Sequence, residues 1–185
     1  AIMLFSFCGC EVFDKILDTN FGEDEQPTGP IDVPEILEPI DPNWPVSVFG
    51  TEIEKAPEKV AVASPAFAEY IFDMGLSGKI VAVPDYCGFS GASSYPTVGS
   101  VRLPDMEAIK EAAPEYILTF AQYEESLLIE LQQMNITVIN IEAPENLDEL
   151  RNLYKEIALF FKGAVDGVSF GESYVAKLPD KRVVY

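Results

Sequence analysis

The chain has 185 residues, of which 48% are hydrophobic and 23% charged, enough for one sizeable domain or a domain with a tail. Its formal net charge of −19, with no basic stripe to neutralise phosphates, argues against nucleic acid as a partner and against adsorption to anionic lipid. The sequence contains no histidine, which removes Ser-His and Cys-His nucleophile pairs, imidazole metal ligands and with them most hydrolytic and zinc chemistry. Carboxylate-only acid/base chemistry stays open. Three cysteines, Cys8, Cys10 and Cys87, cannot build a disulfide framework.

The chain opens on "AIMLFSFCGCEVF", an apolar run ending on two cysteines one residue apart. Nine residues are too few to span a bilayer, but they match the close of a secretory signal's apolar region. Residues Phe7-Cys8-Gly9-Cys10 resemble a bacterial lipobox, which implies lipidation at Cys10 and makes 1–9 the end of a signal peptide. The competing readings are a buried strand with two inert thiols and a metal clip, the latter short of ligands. Between Ile16 and Glu54 lie ten acidic residues, no Lys or Arg, and clustered prolines ("EDEQPTGPIDVPEILEPIDPNWP"). Such a segment buries too little apolar surface to fold, so 10–44 reads as an extended acidic tether between an anchor and a folded body.

The body begins near Pro45. "VSVFG" and "TEIEKAP" read as two short strands around a Phe49-Gly50 turn. "KVAVAS" is an apolar strand that stops at Ser64-Pro65, and "AFAEYIFDMGL" carries apolar residues at helical spacing. "KIVAVP" is a second buried strand, "DMEAIKEAA" a helix, "EYILTF" a third strand, "YEESLLIELQQM" an amphipathic helix, "ITVINIEAP" a fourth strand and "NLDELRNLYKEIALFF" a capped helix. Strands alternating with helices, each apolar through its middle, predict an α/β fold of Rossmann-like form: a parallel sheet covered by helices on both faces. Ligands of such sheets sit beyond the carboxyl ends of the strands, which places five loops on one rim: Ser64–Ala66, Asp85–Ser94, Gly99–Pro104, Phe120–Glu124 and Glu142–Asn146. The Asp85 loop is the longest ("DYCGFSGASSYP"), and long loops in compact domains are usually functional.

The succession "FGTEIEKAPEKVAVASPAFAEYIFDMGLSGKIVAVPDYC", "PTVGSVRLPDMEAIKEAAPEYIL" and "LQQMNITVINIEAPENLDELRNLYKEIALFF" resembles the N-terminal lobe of the solute-binding proteins of ABC importers for iron-siderophores, haem and cobalamin. The similarity runs from Val46 to Leu178. It rests on the order of several motifs, each weak alone: strand-Ser-Pro-helix with an internal Glu, Asp85-Tyr86-Cys87, Val98-Gly99 before a Pro-Asp-led helix, and the Pro-Glu-Tyr-Ile-Leu strand. The resemblance implies a two-lobed, extracytoplasmic, lipid-anchored binder with no catalytic role and no cofactor of its own. It holds a metal chelate or corrinoid between the lobes for delivery to a membrane permease. Residues 45–166 then form the N-terminal ligand-binding lobe. "FGESYVAKL" matches the start of an inter-lobe helix and "KRVVY" the first strand of a second lobe, so 167–185 is expected to carry only the beginning of that half.

On this reading the ligand-binding candidates are Ser64, Tyr86, Cys87, Phe89, Val101, Arg102, Phe120 and Tyr123. Tyr and Phe supply the flat walls that a macrocycle or aromatic chelate needs, and some of them close a small core of the loop instead. Arg102 holds either a ligand carboxylate or a neighbouring Glu, and Cys87 reads as a half-buried thiol rather than a ligand to haem iron. The resemblance makes Glu69 the residue that pairs with an arginine of the permease; without it, Glu69 is a solvated carboxylate near a helix N-terminus. Two other classes compete: a lipid-anchored surface interaction module, and an enzyme on a Rossmann-like scaffold. The second lacks G-x-G-x-x-G, G-x-x-x-x-G-K-[ST] and a G-x-S-x-G elbow.

Overall fold

A computed structural model of the protein describes residues 41–178. The expected signal remnant, Cys10, most of the expected acidic tether and the strand expected at "KRVVY" lie outside the described residues. Strands β1 (Val46–Val48) and β2 (Thr51–Ile53) form an antiparallel hairpin. Its two turn residues, Phe49 and Gly50, both have positive φ (52° and 69°), which is the geometry a two-residue hairpin needs.

The main sheet is β3 (Val60–Val62), β4 (Ile80–Ala82), β5 (Tyr116–Thr119) and β6 (Thr137–Asn140), all parallel, in the order β4-β3-β5-β6. The connecting helices are α1 (Pro65–Asp73), α2 (Met106–Ala112) and α3 (Glu125–Gln133), and α4 (Leu147–Val175) follows β6. Alternation along the strands divides the interior in two. Val60, Val62, Leu118 and Ile139 point into one core with Phe67 and Ile71 of α1 and Leu153, Ile157 and Phe160 of α4. Ala61 and Ile117 point the other way, against Ile109 of α2 and Leu131 of α3. The expected two-faced parallel sheet is therefore present. Fully buried Phe67 and Phe160 each contribute on the order of 2 kcal/mol of apolar burial.

Local chemistry sets the helix starts. Asp105 accepts from the N–H groups of Glu107 and Ala108 (3.0 and 3.1 Å), and Asn146 accepts from those of Asp148 and Glu149 (3.1 and 2.9 Å). Pro65 opens α1 at a position where its missing N–H costs nothing.

The last helix differs from the sequence expectation. A helix ending near Phe161 and a new one opening at Phe170 were expected; instead α4 continues to Val175 with one break, at Gly163 (φ 81°, ψ −173°). Its second half runs back along the first. A Cβ on Gly167 would lie 2.7 Å from Ala158 O and from Leu159 Cα, and one on Gly171 3.1 Å from Lys155 Cα. Further along, Tyr174 meets Tyr154 with ring centroids 5.1 Å apart. Only glycines permit backbones to approach this closely.

The chain order also fixes where a ligand can sit. From β3 the chain crosses over α1 to β4 on one side, then returns over α2 to β5 on the other side of β3. The loops leaving β3 and β5 therefore go to helices on opposite faces, which makes the β3/β5 boundary the topological switch point of the sheet.

Candidate ligand groove at the strand ends

At that boundary the carboxyl-end rim opens into a groove of about 840 Å³ between two loops. One wall is Val101, Arg102, Leu103 and Pro104; the other runs from Phe120 to Glu124 and on to Ser126 and Leu127. Backbone geometry shapes the first wall. Gly99 (φ 85°) bridges to Pro104, its carbonyl accepts from Asp85 N–H (2.9 Å), and Asp105 N–H returns to Val98 O (2.8 Å). Any Cβ on Gly99 would lie 2.6 Å from Asp105 N and 2.7 Å from Leu103 O, so the loop closes only around glycine.

Buried hydroxyls hold the second wall. Ser64, at the end of β3, accepts from Phe120 N–H (2.9 Å) and faces Thr119 Oγ1 at 3.5 Å, and Thr119 Oγ1 in turn accepts from Ala121 N–H (3.0 Å). Asn140 of β6 donates its side-chain amide to Ala121 O. Phe120 is backed edge-on by the fully buried Phe67, centroids 5.2 Å apart. Tyr123 packs on the α2/α3 core. Its hydroxyl is buried near Thr119 but finds no hydrogen bond of acceptable geometry among the described residues. Burial pushes the Tyr123 phenol above the ordinary tyrosine range, and the nearby Thr119 offsets this in part.

Of the sequence candidates, the structure gathers Val101, Arg102, Phe120 and Tyr123 on this one groove. Ser64 lies beneath it, 3% exposed, with its hydroxyl engaged in holding the wall. The Asp85 loop divides differently. Phe89 stacks on Phe72 of α1 (centroids 4.0 Å) and Tyr95 meets Phe72 edge-on at 5.3 Å, so these rings close a small core of the loop. Cys87 is half-buried against the same core, its thiol pushed up by burial first and then by the charges of Glu69 and Asp85. Tyr86 is 94% exposed, in a left-handed backbone conformation (φ 64°), and is not among the groove residues. Glu69 is exposed on α1, beside the loop: a Cβ on Gly88 would lie 3.9 Å from its Oε1.

Sequence reading placed Leu103 and Gln122 in rim loops without naming them as candidates, and did not anticipate Leu127 on the groove or Thr119 beneath it. The signal for Thr119 was a hydroxyl at the end of an otherwise apolar strand. A second groove, of about 940 Å³, lies between the Phe49-Gly50 turn, the loop after β6 and α4, and carries Glu142, Glu145, Glu149 and Glu156. Among the described residues no group of three or more Cys, Asp or Glu is placed to hold a metal ion, and no helix is long and apolar enough to cross a membrane.

No protein-family model and no curated protein matches the chain. Solved structures do. A periplasmic heme-binding protein from Pseudomonas aeruginosa superposes with a TM-score of 0.56 at 18% identity, over 65% of this chain and 42% of that one. The periplasmic vitamin B12-binding protein BtuF of Vibrio cholerae gives 0.51 at 23% identity, over 65% and 46%. The petrobactin-binding protein YclQ from Bacillus subtilis gives 0.53 at 20%, over 68% and 45%. The chain spans less than half the length of each of these three proteins. Over that part, the described body has the fold that these three binding proteins share.

Proposed function

We propose that the chain is the extracytoplasmic solute-binding component of an ABC importer and that the 840 Å³ groove is one wall of its site for a metal chelate or corrinoid. The observation that carries this reading is the coincidence of place and chemistry. The groove lies at the switch point of the sheet, and its lining combines flat or branched apolar groups (Val101, Leu103, Phe120, Tyr123) with one guanidinium, Arg102, and one carboxylate, Glu124. No Ser-His or Cys-His pair exists to make the groove catalytic, which favours binding over turnover. Attachment to the outer face of the membrane through lipidated Cys10, and permease docking through Glu69, belong to the same reading.

Calorimetric titration of the 185-residue chain with haemin, cyanocobalamin and ferric petrobactin tests it. A ligand enclosed on one side buries less of its surface, so we expect weak binding to one of the three, reduced further by Arg102→Gln or Phe120→Ala. Tight one-to-one binding would overturn the half-site picture. Binding that both variants leave unchanged would move the site away from this groove. Loss of association with the importer in Glu69→Arg, with unfolding unaltered, supports the docking role; an unfolded variant refutes it. Mass analysis before and after Cys10→Ser tests the anchor.

A further inference from the structure

Where the acidic segment joins the body, Asn43 reaches across to the break in α4. Three of the exposed donors at the start of its second half are satisfied by this one residue: Ala164 N–H donates to Asn43 O (2.9 Å), and Val165 and Asp166 N–H donate to Asn43 Oδ1 (3.1 and 2.9 Å). An N-cap ordinarily comes from the residue just before the helix; here it comes from more than a hundred positions away. Asp41 pre-sets the capping residue by accepting Asn43 N–H (2.9 Å), and the Asn43 amide reaches toward Asp166 (3.4 Å). The fit is close: a Cβ on Gly163 would lie 2.4 Å from Asn43 Cβ and 2.5 Å from Asn43 O.

We propose that residues 41–45 are a clasp on a hinge at Gly163, and that the clasp sets the direction of the helix from Ala164 to Val175. Gly163 has the backbone freedom of a hinge, while the rest of the turn (Ala164-Val165-Asp166) carries no residue that demands a break. Closed, the clasp supplies the acceptors that the broken helix lacks and holds the second half against Lys155 and Ala158. Open, those N–H groups lose their partners, and the second half, left with only its packing on Lys155, Ala158 and Tyr154, gains freedom to turn about Gly163. In the solute-binding reading the released helix leads to the second lobe, so the clasp orients that lobe; the clasp itself stands without that reading.

The test uses nitroxide pairs at Ser169, on the second half, and Gln132, on α3, in the full chain with its three native cysteines replaced by serine. Both positions are exposed. The expected result is one narrow distance distribution that broadens in Asn43→Ala and in Gly163→Ala and narrows again in Asn43→Ser, which restores a side-chain acceptor. Amide exchange at Ala164–Asp166 is expected to accelerate about tenfold in Asn43→Ala, while the amides of β5 keep their protection. Trp44, the chain's single tryptophan, sits beside Asn43 and partly buried against the core, and its emission should shift to the red as the clasp opens. An unchanged distance distribution in both variants overturns the hinge and leaves a local cap. Loss of β5 protection together with the broadening overturns it as well, by showing that Asn43 acts on folding as a whole. Since no ligand is involved, failure of the clasp and failure of the solute-binding reading are separately visible.

Discussion

Replacing Gly99 by alanine tests how the groove is built. The φ of 85° costs an L-residue roughly 1–2 kcal/mol before any contact is considered. The new methyl would then lie 2.6 Å from Asp105 N and 2.7 Å from Leu103 O, both backbone atoms that no rotamer change can move. Relieving that overlap forces the loop to shift, at about 1–3 kcal/mol. The shift draws Asp105 N–H off Val98 O, a bond worth about 1 kcal/mol. Together these put Gly99→Ala about 3–6 kcal/mol below the parent, a fall of about 10–20 °C in Tm for a body of this size. Chemical denaturation and calorimetry measure it. Gly78→Ala is the matched control: its Cβ meets nothing within 4 Å, so it should stay within about 0.5 kcal/mol. A Gly99→Ala protein that loses less than about 1 kcal/mol would refute the claim that backbone geometry closes the loop.

Ser64→Ala leaves Phe120 N–H without its acceptor and should cost about 1–3 kcal/mol, with amide exchange at Phe120 rising more than at β5. Phe160→Ala empties the centre of an aromatic cluster with Tyr116 and Phe161 (centroids 5.4 and 5.0 Å) and should cost about 3–5 kcal/mol by urea denaturation. Tyr123→Phe removes a buried hydroxyl that lacks a good partner, so at neutral pH it should be nearly neutral. The raised phenol means that the folded state favours the neutral form. Its contribution is full below the unfolded value of about 10 and is lost as pH rises through the higher folded value, so urea midpoints should fall less steeply above about pH 10 in Tyr123→Phe than in the parent.

Much of the fold was legible because the period of apolar residues carries it. "KVAVAS" and "EYILTF" are strands since residues such as Ala61 and Val62, or Ile117 and Leu118, are buried on both sides, which no other placement of those runs satisfies. Strand order was not legible, because the order β4-β3-β5-β6 depends on which way each crossover turns. The break at Gly163 was missed for a specific reason. The amphipathic pattern continues through it, and the residue that makes the break tolerable, Asn43, is distant in sequence. The glycines at 163, 167 and 171, spaced four residues apart, were the available signal: the first at the break, the other two on one face of the helix that follows. Site residues divided by the same logic. Phe120 and Tyr123 were placed on the rim by the end of β5, whereas Phe89 was drawn inward by Phe72, a partner on the outward side of α1 that a loop sequence cannot reveal.

The two walls of the groove are fastened almost wholly by groups that do not face it. Backbone bonds around Gly99 fix the first, and Ser64, Thr119 and Asn140 fix the second from behind. The side chains of Val101, Arg102 and Leu103 make none of those fastenings, whereas the rings of Phe120 and Tyr123 also pack inward, on Phe67 and on the α2/α3 core. On the first wall, frame and lining are therefore separable inheritances. A lineage can exchange Val101, Arg102 and Leu103 one at a time to suit a new cargo, each step escaping the stability cost that usually accompanies a change of specificity. Substitutions at Gly99 or Ser64 would instead be purged whatever the cargo, so descendants of this chain should differ most where they touch what they carry and least just behind it.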